Sequence, residues 1–271
     1  MITSNSNPRV KQIVQWRNKA KERAGAGIFL TEGFKMFGEA PQELIREVYI
    51  SVDILRREEP GWDIREKLDR SGYETVSEEV FRKMSDTLNP QGILCVMERP
   101  KYTLEGMLAE KTPLLVMLEN LQDPGNLGTI VRTAEGAGAT GIIMGSSTVD
   151  IYNPKTIRAT MGSVFRVPFV YVQDLGRAAA LLQEKQIRVY AAHLDGTKYY
   201  DDFSYEQGCA FLIGNEGNGL SRELADRADL YLKIPMEGSV ESLNAAVTAS
   251  ILMYEAHRQR RRASHFQDFS S

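Results

Sequence analysis

The sequence predicts an α/β protein of two domains, the second built around a mostly parallel sheet. Three observations carry this reading. Short apolar runs alternate with amphipathic segments along the chain. In the second half the runs are continuously apolar, as expected of strands covered on both faces. Between Glu98 and Pro113 the pattern weakens, and Pro100 and Pro113 punctuate it. A chain of 271 residues accommodates two domains of common size.

In the first domain, residues 8–23 read as one helix, with Ile13, Val14 and Trp16 among polar neighbours. A strand at 28–30 leads through a turn into a helical stretch over 32–40. Strand-like runs follow at 47–52, 73–76 and 93–97, with helices starting near Asp63 and Ser77. The boundary falls at 101–112, giving domains over 1–100 and 113–271. The second domain opens with a strand at 114–118 and a helix at 127–137. Strands at 141–144 and 169–172 precede a helix at 175–185. Strands at 187–192, 210–213 and 230–234 lead to a final helix over 244–262. Such sheets bind ligands at the carboxyl ends of their strands.

Composition excludes several classes. A chain 42% hydrophobic and 25% charged, with 22 Gly and 10 Pro, is neither collagenous nor wholly disordered. Cys95 and Cys209 stand alone, without CxxC spacing, and read as buried thiols in a reducing compartment. His193, His257 and His265 lack ligand spacing, so no metal is expected. No apolar run approaches the roughly 20 residues a membrane span needs. The opening MITSNSNPRVKQIVQW lacks the apolar stretch of a secretory signal, so a cytoplasmic location is expected.

The net charge of −3 by itself argues against a nucleic-acid partner. The charges are segregated, however. Arg9, Lys11, Arg17, Lys19, Lys21 and Arg23 face Glu22 alone in the first 23 residues, and Arg258, Arg260, Arg261 and Arg262 close the chain. Between them, residues 39–83 are rich in carboxylates such as Glu39, Glu43, Glu47, Glu58, Glu59, Glu78 and Glu79. Each run suits a solvated helix face. Together the basic ends also suit a directed electrostatic footprint.

Four segments invite a chemical reading. Gly136-Ala137-Gly138-Ala139-Thr140-Gly141 matches GxGxxG, but these glycines end a helix and precede a strand. A dinucleotide fingerprint needs the reverse order, so they read as a C-cap and turn. The run NLQDPGNLGTIVR (120–132) leaves a strand, turns, and enters a helix carrying Asn126 and the single long cation Arg132. The run FLIGNEGNGLS (211–221) ends a strand in three glycines around Glu216, which suits an adenosine or cationic centre better than a phosphate. The run IPMEGSVESLN (234–244) leads into the last helix. There Ser242 and Asn244 serve equally as helix caps or as polar site groups.

On the motifs NLQDPGNLGTIVRTAEGAG, LIGNEGNGLS and IPMEGSVESLNAAVTASILMYEA, in that order, the chain resembles the SpoU (TrmH) family of RNA ribose 2′-O-methyltransferases, within the SPOUT superfamily. The resemblance covers residues 112–260. The opening NPRVKQIVQWRNKAKERAGAGIFLTEGFKMFGEA is similar to the family's N-terminal substrate-binding domain, a small ribosomal-protein-like α/β module for RNA.

This resemblance implies a C-terminal SPOUT domain with a deep trefoil knot, which periodicity never suggests. It implies S-adenosylmethionine as cofactor, RNA as substrate, and a homodimer whose acceptor site draws on both copies. Cofactor contacts map onto Leu194, Gly214, Ile234 and Leu243, mainly through backbone groups. Acceptor-side positions map onto Asn126, Arg132, Glu216, Ser242 and Asn244. Ribosomal RNA is the expected substrate, with tRNA or a non-catalytic RNA-binding role as alternatives. A guanidinium keeps its proton at ordinary pH, so Arg132 reads as an orienting cation beside the ribose hydroxyl, and the final proton acceptor is left open.

Overall fold

The computed structural model describes residues 1–55, 64–239 and 242–268, with side chains described as far as Ala263. Glu58, Glu59, the expected helix start at Asp63, Glu241 and the side chain of His265 lie outside the described residues. The chain divides into two compact units.

The first unit comprises Met1–Lys101 together with Asp150–Phe165. Its sheet contains β1 (Ile28–Glu32), β2 (Ile45–Ser51), β3 (Glu74–Val76) and β4 (Ile93–Glu98), in the order β1-β4-β2-β3. The pairs β1/β4 and β2/β4 are antiparallel and β2/β3 is parallel. Around it lie α1 (Pro8–Asn18), α2 (Ala20–Ala26), α3 (Phe34–Glu39), α4 (Val52–Leu55), α5 (Arg65–Ser71) and α6 (Glu78–Met84). Val10 and Ile13 of α1 and Val80, Phe81 and Met84 of α6 bury one stripe each against Ile28, Leu30, Leu94 and Val96.

The expected single helix over 8–23 is two. Lys19 is extended, at φ −124° and ψ 109°. The break strands the last carbonyls of α1, which no longer have intrahelical donors. Arg23 supplies them. Its guanidinium donates to the Trp16 and Arg17 carbonyls at 2.7 and 3.0 Å and pairs with Asp150 at 2.6 Å. Arg23 is only 3% exposed, so the footprint expected over Arg9–Arg23 loses this member to the interior.

The Asp150–Phe165 segment also departs from the expected 113–271 domain. Besides Asp150, it contributes Tyr152 and Phe165, whose rings meet Phe29 at centroid distances of 4.8 and 6.2 Å. It carries one helix, α9 (Pro154–Thr160). These contacts join residues more than a hundred positions apart, and no local pattern reports them.

The second unit holds Tyr102–Val149 and the chain from Arg166 onward. Its strands are β5 (Leu114–Leu118), β6 (Gly141–Gly145), β7 (Phe169–Val172), β8 (Arg188–Ala192), β9 (Lys198–Tyr199), β10 (Cys209–Ile213) and β11 (Leu230–Lys233). They form one sheet in the order β7-β6-β5-β10-β8-β11-β9, parallel at every pairing. The helices are α7 (Leu104–Met107), α8 (Pro124–Gly136), α10 (Leu175–Glu184), α11 (Arg222–Ala225) and α12 (Ala245–Asp268).

Strand alternation sorts the two faces. Leu115, Met117, Ala210, Leu212, Val189 and Ala191 point to the side where α10 packs. The opposite face of β5 and β10 receives α12, which also packs along α8. Asp123 caps α8 by accepting from the Asn126 N–H, and Pro124 sits in its first turn, so the helix begins three residues before the expected Leu127.

The basic carboxyl end proves partly structural. Arg260 donates to the carbonyls of Tyr205, Thr112, Pro113 and Gln207 at 2.8–3.2 Å. Arg258 pairs with Glu255 at 2.6 Å. Both cysteines are buried and free. Burial pushes the Cys209 thiol up to about 11, against a smaller pull from Arg260, and pushes Cys95 to about 12. Among the described residues no helix is long and apolar enough to cross a membrane.

Candidate functional site

Because β5, β10, β8 and β11 are parallel neighbours, the loops after them emerge along one edge of the sheet. That edge carries all three motifs. Between the loops after β8, β10 and β11 lies a hollow of about 420 Å³. Leu194, Gly214, Ile234 and Leu243 all line it, as do Glu216 and Ser242. Four positions up to 49 residues apart thus share one concavity, of a size usual for small-molecule sites.

Gly214 shows why glycine stands at the end of β10. A Cβ there would lie 2.1 Å from the Gly219 carbonyl carbon and 2.2 Å from the Leu220 nitrogen. The two backbones touch because Asn215 and Gly219 exchange backbone hydrogen bonds, both 3.0 Å, and Gly219 turns the chain at φ 66°. The Asn215 side chain tightens the turn by accepting from the Gly217 and Asn218 N–H groups at 2.8 and 3.2 Å.

Two loops then clasp each other. Glu119 accepts from the Ser221 N–H and hydroxyl at 2.7 and 2.6 Å. Asn215 donates to the Asn120 carbonyl at 2.8 Å, with Asn120 itself at φ 52°. Glu216 accepts from the Gln122 and Asp123 N–H groups at 3.1 Å each and from the Asn126 amide at 3.0 Å. Partial burial pushes the Glu216 carboxyl up, but the Asn126 amide and the N–H groups of Glu216, Gln122 and Asp123 outweigh it. The net effect holds Glu216 below the usual carboxylate range.

The clasp continues into the last helix. Asn126 accepts from the Asn244 amide at 3.0 Å, and Asn244 accepts from the Ala246 N–H at 2.8 Å, capping α12. Asn244 therefore caps α12, and the same side chain reaches across to Asn126. Glu216, Asn126 and Asn244 form one hydrogen-bonded chain across three loops.

Arg132 is not brought to that chain. It follows Asn126 by six residues, which on a 3.6-residue helix turns it about 120° away. It lies exposed, and among the described residues it has no hydrogen-bond or ion-pair partner. Sequence reasoning gave no site role to Glu119, Asn120, Asn215 or Ser221. Isolated polar residues at strand ends carry no periodic signal, and only their pairing marks them. Among the described residues no group of His, Cys, Asp and Glu could hold a metal. His193 packs tilted on Tyr231 and His257 meets Tyr254 edge-on, at centroid distances of 5.0 and 5.8 Å.

A larger hollow, about 560 Å³, lies at the ends of β5–β7. It has Glu119 and Ser221 on its wall but none of the residues singled out from sequence. Asp174, also on its wall, is engaged by the Arg177 N–H as the cap of α10.

A parallel α/β unit with a ligand hollow at its strand ends, preceded by a separate small α/β unit, is the architecture of an enzyme with its own recognition domain. Residues 113–254 match the SpoU rRNA methylase family, and residues 7–95 match the MRM3-like substrate binding domain. The chain belongs to the SpoU methylase family.

Among its relatives is the Bacillus subtilis 23S rRNA (guanosine(2553)-2′-O)-methyltransferase RlmP, 34% identical over 93% of this chain and 97% of that one. The 23S rRNA (uridine(2479)-2′-O)-methyltransferase of Streptomyces viridochromogenes is 31% identical over 96% and 92%. The solved structure of an AdoMet-bound rRNA methyltransferase from Sinorhizobium meliloti superposes with a TM-score of 0.81 at 32% identity, covering 95% of this chain and 97% of that one. The SpoU methyltransferase AviRb from S. viridochromogenes, in complex with AdoMet, does so at 0.82 and 28%, covering 94% and 98%.

Proposed function

We propose that this protein transfers a methyl group from S-adenosylmethionine to a ribose 2′-hydroxyl of ribosomal RNA. The observation that carries the reading is the single hollow lined by Leu194, Gly214, Ile234 and Leu243, in a chain of this family. The residues fit the cofactor. Gly214 lets the β10 end close against the Gly219–Leu220 backbone that shapes the wall, and Ile213, Leu220, Leu232, Ile234 and Leu243 offer an apolar bed for a purine. When bound, the cofactor supplies an electrophilic methyl on a sulfonium centre. A deep trefoil knot formed by the strands and loops around this hollow belongs to the same reading.

The protein's own groups divide the remaining work. Glu216, Asn126 and Asn244 hold the three loops in register, so that the acceptor oxygen meets a prepared site. Ser242 stands on the hollow wall as a polar contact for the ribose. Arg132 binds the phosphate beside the target nucleotide and stabilises negative charge developing on the 2′-oxygen. Since it stands about 120° round α8 from Asn126 and is not among the residues lining the hollow, the acceptor site is completed by a second copy, making the protein a homodimer. Val247 and Tyr254 of α12 are 46% and 49% exposed, and the Tyr254 hydroxyl sits beside Gly136 at the end of α8. These apolar groups border the Arg132-bearing helix and suit such a contact.

The substrate-binding domain over 1–100, to which Asp150–Phe165 adds, and the methyltransferase domain in the rest of 113–271 divide recognition from chemistry, in the cytoplasm where ribosomes are assembled. The test is transfer of tritiated methyl to rRNA. Wild type should label a single 2′-O position. Arg132→Ala should abolish labelling while cofactor affinity by calorimetry stays within a few-fold, and Arg132→Lys should also fail, because an ammonium cannot reproduce the guanidinium fork. Loss of cofactor affinity with normal turnover at saturation would remove Arg132 from this role. Labelling confined to tRNA would overturn the choice of substrate.

A further inference from the structure

On the first unit, one loop is built to present a side chain that nothing within the unit covers. Leu88 is 100% exposed, at the tip of the loop 85–91. The loop beneath it is tightly held. Glu32 accepts from the Ser85 and Thr87 hydroxyls at 2.7 Å each and from the Asp86 N–H at 3.3 Å. Asp86 pairs with Arg158 at 2.7 Å. At the other end the Gln91 side-chain amide oxygen accepts from the Phe34 N–H at 2.9 Å. Gly92 follows at φ 81°, where a Cβ would fall 2.3 Å from Ile54 Cγ1. Ser85 itself is buried. A lone exposed leucine on a loose loop needs no explanation. A hydrogen-bonded scaffold that fixes the backbone on either side of one does.

Cations lie near the start of the loop. Arg17 ties the end of α1 to the end of α6 by donating to the Lys83 and Ser85 carbonyls, the former at 3.1 Å. This brings Lys19, at the end of α1, and Lys83, in the last turn of α6, to the base of the loop. Both are exposed, and among the described residues neither has a hydrogen-bond or ion-pair partner for its ammonium. Asn89 and Gln91 are exposed beside Leu88. An apolar contact for a base face, two amides and two unpaired ammonium groups suit an unstacked base and its flanking phosphates.

We infer that the loop 85–91, with Lys19 and Lys83, is the surface on which this protein takes single-stranded RNA, one base resting on Leu88 and adjacent phosphates on the two lysines. The inference rests on the RNA-methylating reading above and names where on the first unit that substrate is held. It also narrows the basic stretch 9–23. Arg23 is buried and Arg17 is engaged with carbonyls, which leaves Lys19 as the member of that stretch at the loop.

The test is filter binding of the full-length chain to protein-free 23S rRNA across a salt series, alongside steady-state methyl transfer. Leu88→Ala should weaken RNA binding about tenfold with an unchanged salt slope. It should raise KM for RNA without lowering kcat, and leave S-adenosylmethionine affinity and the melting temperature as in wild type. The Lys19→Ala/Lys83→Ala double variant should flatten the salt slope by about 1.4, two contacts at ~0.7 each. Variants that bind as the wild type does overturn this inference alone. A wild-type chain that binds no RNA overturns the proposed function as well. A Leu88→Ala defect seen with assembled subunits but not with bare RNA assigns the tip to a protein, and overturns the RNA assignment.

Discussion

At the scale of single residues, Gly214 and Glu216 set the tolerances of the hollow. Gly214→Ala forces a methyl group into the Gly219–Leu220 peptide, 2.1 Å away, so the loop must open. Cofactor affinity by calorimetry should fall at least tenfold, with a smaller effect on the melting temperature, because the strained loop lies at the sheet edge. Glu216 makes a pH prediction. Its folded-state carboxyl titrates below the ordinary 4.5, so its clasp contributes fully above that value and is lost as pH falls through the lower folded value. Cofactor affinity should therefore be flat from neutrality to about pH 5 with respect to this group and drop only below it. Glu216→Gln, which keeps the shape but turns an acceptor into a donor against the Gln122 and Asp123 N–H groups, should lose affinity at every pH. Both residues stood out in the sequence because glycines around an acid at a strand end are unusual. Asn215 and Asn120 did not, because their roles exist only once the two loops meet.

At the scale of elements, arginines act as clamps, Arg23 from the interior and Arg260 from a half-buried position. Arg23→Ala would leave Asp150 unpaired and two carbonyls of α1 without donors, at a cost of about 3 kcal/mol. Arg260→Ala would remove a donor from the Tyr205, Thr112 and Gln207 carbonyls, while the Pro113 carbonyl keeps the Cys209 N–H, at a cost of about 1 kcal/mol. Urea denaturation should report both losses. The salt slope of RNA binding should not change in either variant; a slope reduced by one contact would return that arginine to the RNA-facing set. Element types and most boundaries in the parallel sheet were legible, since strands buried on both faces leave continuous apolar runs. The break at Lys19 was not, because nothing in the pattern over 8–23 distinguishes a bent helix from a straight one. What stabilises the bend is Arg23, whose partner Asp150 is 127 positions away.

At the scale of the whole molecule, the prediction concerns shared sites. If Arg132 of one copy completes the hollow of another, Arg132→Ala and Gly214→Ala proteins are each inactive, yet mixed dimers contain one intact site. Co-expression should restore about a quarter of wild-type methyl transfer, from half the dimers being mixed and one site in two being whole. Mixed dimers that form and stay inactive would show that each copy works alone. The net charge of −3 belongs at this scale too: it sums buried clamps, paired helix faces and unpaired lysines with different partners, and so reports none of them. The sequence by itself determined the α/β class, the strands of the parallel sheet and the motifs at their ends, because periodicity and loop chemistry are local properties of the chain. Only the tertiary structure decided which cations are interior, that Asp150–Phe165 joins the first unit, and that Asn126 meets Glu216 while Arg132 turns away. Those outcomes depend on contacts between residues far apart in the chain, and on helix phase read against a packed neighbour.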